Sequence, residues 1–198
     1  MRYKYRIVGV LLMMLYTIAA LCSCSKNQQS EDETEQVKTY YIPPSYYKIA
    51  RVEPKIDVDA IKSKGKDYYT DVYVKDGGME IKLTEGQREK TLILFAQNFE
   101  KNKDKILKKN STFKIEQSAD YMSLTFITDE HIVEFEFTPY VMLLITGNIY
   151  QQILHTGSSD WSTHVKFVNG HTGKTVIEGD LPKDPFSFGE KEWKESYN

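Results

Sequence analysis

No cysteine occurs after position 24 of this 198-residue chain. Whatever folds downstream does so without a disulfide, a thiolate metal ligand or a thiol nucleophile. Its stability has to come from an apolar core, and roughly 150 residues is ample for one such domain. The spacing of apolar residues therefore carries most of the information about the fold.

That spacing alternates between two periods. Residues 40–47, YYIPPSYY, set aromatic doublets around Pro43-Pro44, which favours an extended polyproline-like segment. The run from Asp57 to Lys62 suits a short helix, followed by a charged, glycine-containing loop over 62–67. Asp71-Val-Tyr-Val and Met79-Glu-Ile-Lys-Leu alternate across Asp76-Gly77-Gly78, a hairpin pattern. Thr84-Glu-Gly-Gln87 is a capping-box sequence. Beyond it Leu92, Phe95, Ala96, Phe99, Ile106 and Leu107 recur at helical spacing, which predicts a long helix ending near Asn110.

Met122, Leu124 and Phe126 then share one face of a predicted strand. A second strand begins at Ile132, with Phe135 and Phe137 alternating against Glu134 and Glu136, and Asp129-Glu130-His131 turns between them. Thr138-Pro139 is a helix-start pair. In the run to His155, Asn148, Gln151, Gln152 and His155 fall on one helical face and Ile145, Ile149 and Ile153 on another, with Thr156-Gly157 as the stop. So dense an apolar run over 140–146 also fits a strand. His164-Val-Lys-Phe-Val and Lys174-Thr-Val-Ile flank Asn169-Gly-His-Thr-Gly as a further hairpin. The expected class is α+β, an antiparallel sheet of hairpins covered by one long and one shorter helix.

The amino terminus has a different logic. Arg2, Lys4 and Arg6 precede an apolar run from Ile7 to Leu21, the layout of a secretory signal peptide. The run falls short of the about 20 apolar residues that a spanning helix needs. At its end, Leu21-Cys22-Ser23-Cys24 resembles a bacterial lipobox. Cys24 has the aliphatic residue three positions before it and a small residue directly before it; Cys22 follows Leu21 and lacks the small residue. The resemblance implies a bacterial lipoprotein. Residues 1–23 would be cleaved, Cys24 would receive a diacylglycerol on sulfur, and its new amino group would be acylated. The rival reading, a Cys-x-Cys metal or redox pair, has no further cysteine to complete it.

Residues 24–39 then form a polar, acidic tether of about 20 Å typical extent, and residues 40–198 a single domain. The SEDETE run in this tether also resembles acidic export signals of surface-exposed lipoproteins. The whole chain has 26 basic and 28 acidic residues, and loss of the three leader cations leaves it distinctly acidic. An acidic extracytoplasmic domain excludes nucleic acid as a partner. Attachment to the membrane would be through the acyl chains, placing the protein on the outer membrane, facing the periplasm or the cell surface.

Signals for catalysis are sparse. His131, His155, His164 and His171 stand in no zinc-ligand spacing, His171 reading as a solvated turn residue. There is no nucleophile elbow and no phosphate loop. Glu134 and Glu136 would share the face opposite Phe135 and Phe137, where a wet sheet surface is the ordinary outcome. No catalytic residue, metal or cofactor is expected.

Two features suit binding instead. Lys101, Lys103, Lys105, Lys108 and Lys109 gather at the end of the long helix, where they also complement its dipole. The chain has 14 tyrosines, with doublets at 40–41, 46–47 and 68–69, and an aromatic tail of Phe186, Phe188, Trp193 and Tyr197. Such side chains enrich interfaces and equally cover domain edges. The expected partner-binding residues are Tyr40, Tyr41, Tyr46, Tyr47, Trp161, Trp193, Lys105 and Lys108. The leading functional expectation is a non-enzymatic envelope lipoprotein binding a macromolecule, in the manner of an immunity or inhibitor protein that neutralises a toxin. A glycan-binding accessory lipoprotein of a surface uptake system is the alternative, and an envelope hydrolase the third.

Overall fold

The computed structural model describes residues 35–129, 138–185 and 189–198. The leader, Cys24, the tether up to residue 34, His131, the second strand expected over 132–137 with its Glu134/Glu136 pair, and Phe186 and Phe188 lie outside these residues. Among the described residues the fold is α+β, with five helices and two sheets.

The first sheet is antiparallel, in the order β1-β3-β2. Its β2–β3 hairpin (Asp71–Lys75, Gly78–Leu83) turns on Asp76 and Gly77, both with positive φ, as a two-residue hairpin requires. Strand β1 (Lys38–Ile42) pairs with β3 from Lys38↔Leu83 to Ile42↔Met79. The folded unit therefore starts two residues before the expected boundary at 40. Polar Lys38 and Thr39 join because an edge strand is held through its backbone, whatever its side chains.

The polyproline expectation for 40–47 gives way to two elements. The strand ends at Ile42, Pro43 alone is extended, and Pro44 sits at the first position of helix α1 (Pro44–Ala50), where its fixed φ is already helical. Helix α2 (Pro54–Lys64) is longer than expected and takes in part of the predicted 62–67 loop, before Gly65 ends it at φ +87°.

Helix α3 (Glu85–Leu107) opens on a complete capping box. Thr84 Oγ1 accepts from the Gln87 amide, and Gln87 Oε1 accepts from the Thr84 amide at 2.9 Å. Glu35, at the end of the tether, adds a third acceptor to this terminus through a 2.9 Å bond from the Gly86 amide. Phe99 and Ile106 are buried and Leu92, Phe95 and Leu107 partly so, whereas Ala96 faces solvent.

Helix α4 (Thr138–Thr156) runs through the centre of the molecule, against α1, α3, β1 and the second sheet. Gly157 (φ +72°) closes it, its amide bonding to Ile153 O at 2.9 Å. The helix reading of 140–155 holds. The face carrying Asn148, Gln151 and Gln152 points inward, and only His155 is exposed.

The second sheet has the order β4-β5-β6-β7 (Lys114–Gln117, Ser123–Thr128, Thr163–Asn169, Thr175–Leu181). It is mixed. β4–β5 and β6–β7 are antiparallel, the latter being the expected hairpin around Asn169-Gly-His-Thr-Gly, but β5 and β6 run parallel. A parallel pair requires a crossover, and the connection from β5 to β6 contains α4. Both edges of β5 are taken, one by β4, whose short KIEQ sequence carries no strong strand signal. Leu124 and Phe126 point into the core as expected, with Thr128, while Met122 lies ahead of the strand and is exposed. Helix α5 (Glu190–Glu195) docks the carboxyl terminus against the β6–β7 end of the sheet.

Candidate functional site

The aromatic residues expected to meet a partner are largely core. Tyr40, Tyr46, Tyr47, Trp161 and Trp193 are all buried. In helical α1 the Tyr46–Tyr47 doublet packs edge to face at 5.0 Å, and Tyr46 meets Tyr150 of α4 at 5.9 Å. Tyr41 is half-buried, its hydroxyl donating to the Lys75 and Asp76 carbonyls above the hairpin turn. A domain whose sequence holds no cysteine uses these rings as core volume. Of the large apolar side chains exposed among the described residues, Tyr197 is the one aromatic.

The lysine cluster fares differently. Lys101 is exposed on the carboxyl half of α3 and Lys108 at its C-cap, and Lys105 is half-buried with its ammonium 5.3 Å from the centre of the Tyr140 ring. Burial, then repulsion from Lys101, holds Lys105 below the ordinary lysine range. With Ala96, Gln97, Glu100 and Asp104 these three lysines line a shallow open groove. Lys103 turns to Glu100 at 3.2 Å.

Among the described residues no histidine lines either concave site. His164 Nδ1 lies 2.8 Å from Asp180 Oδ1 and its Nε2 3.6 Å from Glu178, on the open face of the β6–β7 hairpin. His171 is exposed in its turn, as expected. Among the described residues no three metal-ligating side chains converge, and no helix is long and apolar enough to cross a membrane.

One concave site was not anticipated. The β2–β3 hairpin, α1, α2, α3 and α4 line a partly open cavity of about 120 Å³. Its walls are chiefly apolar, with Ile61, Leu94, Phe95, Phe99 and Leu143 around the Tyr46 and Tyr150 rings. Phe95 stacks on Tyr150 at 4.4 Å. The Thr91 and Thr146 hydroxyls on this wall are already satisfied by donating to carbonyls of their own helices at 2.8 Å. Asp57 is the one carboxylate of the lining. The residue is half-buried, but its carboxyl lies inside, and burial pushes it up to about 6 against the lowering effect of the Tyr47 phenol. Burial and the Asp57 charge in turn hold Tyr46, Tyr47 and Tyr150 above the ordinary tyrosine range. The Tyr47 and Tyr150 hydroxyls are buried with no hydrogen-bond partner among the described residues. The signal for this site was the stripe Asp57, Ala60, Ile61, Lys64, which puts an acid at helical spacing on the apolar face of α2.

No protein-family model matches the chain, and no curated protein or solved structure matches it either.

Proposed function

We infer that the chain is a lipid-anchored cell-envelope protein that binds a macromolecular partner rather than catalysing a reaction. Its partner is a protein with an acidic docking face, as an immunity- or inhibitor-type lipoprotein neutralising a toxin requires. The anchor is the Cys24 of the lipobox, and Glu35, near the far end of the tether, accepts a hydrogen bond from the first turn of α3.

The observation that carries the reading is the groove holding Lys101, Lys105 and Lys108 on an otherwise acidic protein. A partly desolvated ammonium pressed by a neighbouring cation gains from an incoming carboxylate. Such a patch steers association and sets specificity without any catalytic group.

Two measurements test this. Mass spectrometry of the mature protein should find residues 1–23 gone and acyl chains on Cys24; an unmodified Cys24 removes the envelope location. A soluble fragment from residue 35 should capture a protein whose purified form binds with a nanomolar Kd, typical of a good interface of standard size. The triple variant Lys101→Glu, Lys105→Glu, Lys108→Glu should weaken that complex by more than about tenfold. Unchanged affinity in the triple variant, or recognition of glycans with no protein captured, ends the proposal.

A further inference from the structure

We propose that the cavity between the β2–β3 hairpin and helices α1 to α4 binds a small organic cation, an ammonium group on a compact apolar body, with the ammonium against Asp57 and the body against Phe95, Phe99 and Leu143. This site is separate from the lysine groove and independent of the anchor.

Three observations converge on that chemistry. The first is space. The cavity of about 120 Å³ is slightly smaller than the closed apolar cavity of about 150 Å³ that holds benzene, but it is partly open, so it takes up a branched alkyl group or a small ring whose polar end reaches the mouth. It is far too small for a fatty acyl chain, so the protein's own anchor is not its occupant. The second is the helix that walls it. Gly147 stands in the interior of α4, where glycine weakens a helix, and a Cβ there would meet nothing within 4 Å. The position that a side chain would use to fill the cavity is left open.

The third is the polar set. The Asp57 carboxyl has no cation among the groups that act on it, and the one neighbour that favours its charge is the neutral phenol of Tyr47. Tyr150 lines the cavity, and its hydroxyl, buried just behind the wall and within reach of the Asp57 charge, has no partner among the described residues. Buried polar groups are rarely left so, because each costs the hydrogen bond it gave up in water. An ammonium supplies the positive charge that the carboxylate lacks and, with a small rotation of the Tyr150 ring, an N–H for the phenol oxygen, and aromatic rings favour a cation beside them. Lys64 also lines the cavity but is not among the groups that act on the carboxyl, so a carboxylate or phosphate placed against Asp57 would be repelled, and a neutral hydrocarbon would leave the two polar groups as they are.

The test titrates the full chain, purified in detergent, with benzylammonium, benzyl alcohol and benzoate at pH 7.5 by calorimetry. Benzylammonium should bind at least about tenfold more tightly than benzyl alcohol, and benzoate should not bind. Asp57→Asn keeps the shape of the side chain and should abolish the preference for the amine. Tyr150→Phe, which leaves the ring in place, should weaken the amine severalfold and the alcohol less. Equal affinity for amine and alcohol, amine binding unchanged in Asp57→Asn, or no amine binding at all overturns the proposal. An affinity that Tyr150→Phe does not alter overturns the placement of the ammonium between these two residues.

Discussion

Gln117 of β4 donates a 2.7 Å hydrogen bond to Asn148 in the middle of α4, and Asn148 passes its own amide hydrogen to the Tyr121 carbonyl, also at 2.7 Å. Asn148 is fully buried, so this pair joins the sheet edge and the loop after it to the central helix. Asn148→Leu is close in size but leaves the Gln117 amide and the Tyr121 carbonyl bare. It should destabilise the protein by about 2 kcal/mol, read as a lower urea midpoint at unchanged slope.

Asp57 gives the stability a pH dependence with a definite sign. Its folded value of about 6 lies above the unfolded value near 4, so ionisation opposes folding. The contribution is harmless below about pH 4, grows unfavourable up to about pH 6 and is constant above. The groups facing the carboxyl are Tyr46 and Tyr47 of α1 and Tyr150 of α4, all kept neutral through this range; Lys64, a cation on its own helix, also lines the cavity. Asp57→Asn should therefore be more stable than the parent by roughly 2–3 kcal/mol at pH 7.5 and equal to it at pH 4, in urea titrations at the two pH values.

Two glycines should respond in opposite directions. Gly147→Ala places its Cβ in open space within a helix and should stabilise by about 1 kcal/mol. At Gly78 a Cβ would lie 2.3 Å from the Ile42 carbonyl oxygen of the neighbouring strand, so Gly78→Ala forces β1 away from β3 and should cost about 3 kcal/mol. Thermal midpoints of the two variants, measured side by side, check both.

Ser196 ties the carboxyl-terminal helix to the second sheet beside the buried Trp193. Ser196 Oγ accepts from the buried Asn169 amide at 2.8 Å and donates to the Trp193 carbonyl at 2.6 Å. Ser196→Ala leaves the Asn169 amide without that acceptor, costing about 1–2 kcal/mol. Tryptic cleavage at Lys191 and Lys194 should accelerate in this variant, because α5 opens before the sheet does.

Features that close within a few residues could be read in advance. The capping box at Thr84–Gln87, the Asp76-Gly77 turn, the Gly157 stop and the hairpin around Asn169 each depend on bonds between near neighbours, so residue type and spacing suffice. The polar stripe of α4 was visible as a stripe. That it faces inward was not, because helical periodicity separates faces without saying which one meets water.

What lies far apart in the chain needed the folded structure. The parallel pairing of β5 with β6 depends on α4 passing over the sheet, and no pattern within either strand encodes its partner. Tyr40, Tyr46, Tyr47, Trp161 and Trp193 read equally well as interface or interior, since an aromatic ring gains from any apolar surface; only the assembled packing makes them core. The Asp57 cavity is likewise the joint product of a hairpin and four helices, and its chemistry exists only where their side chains meet.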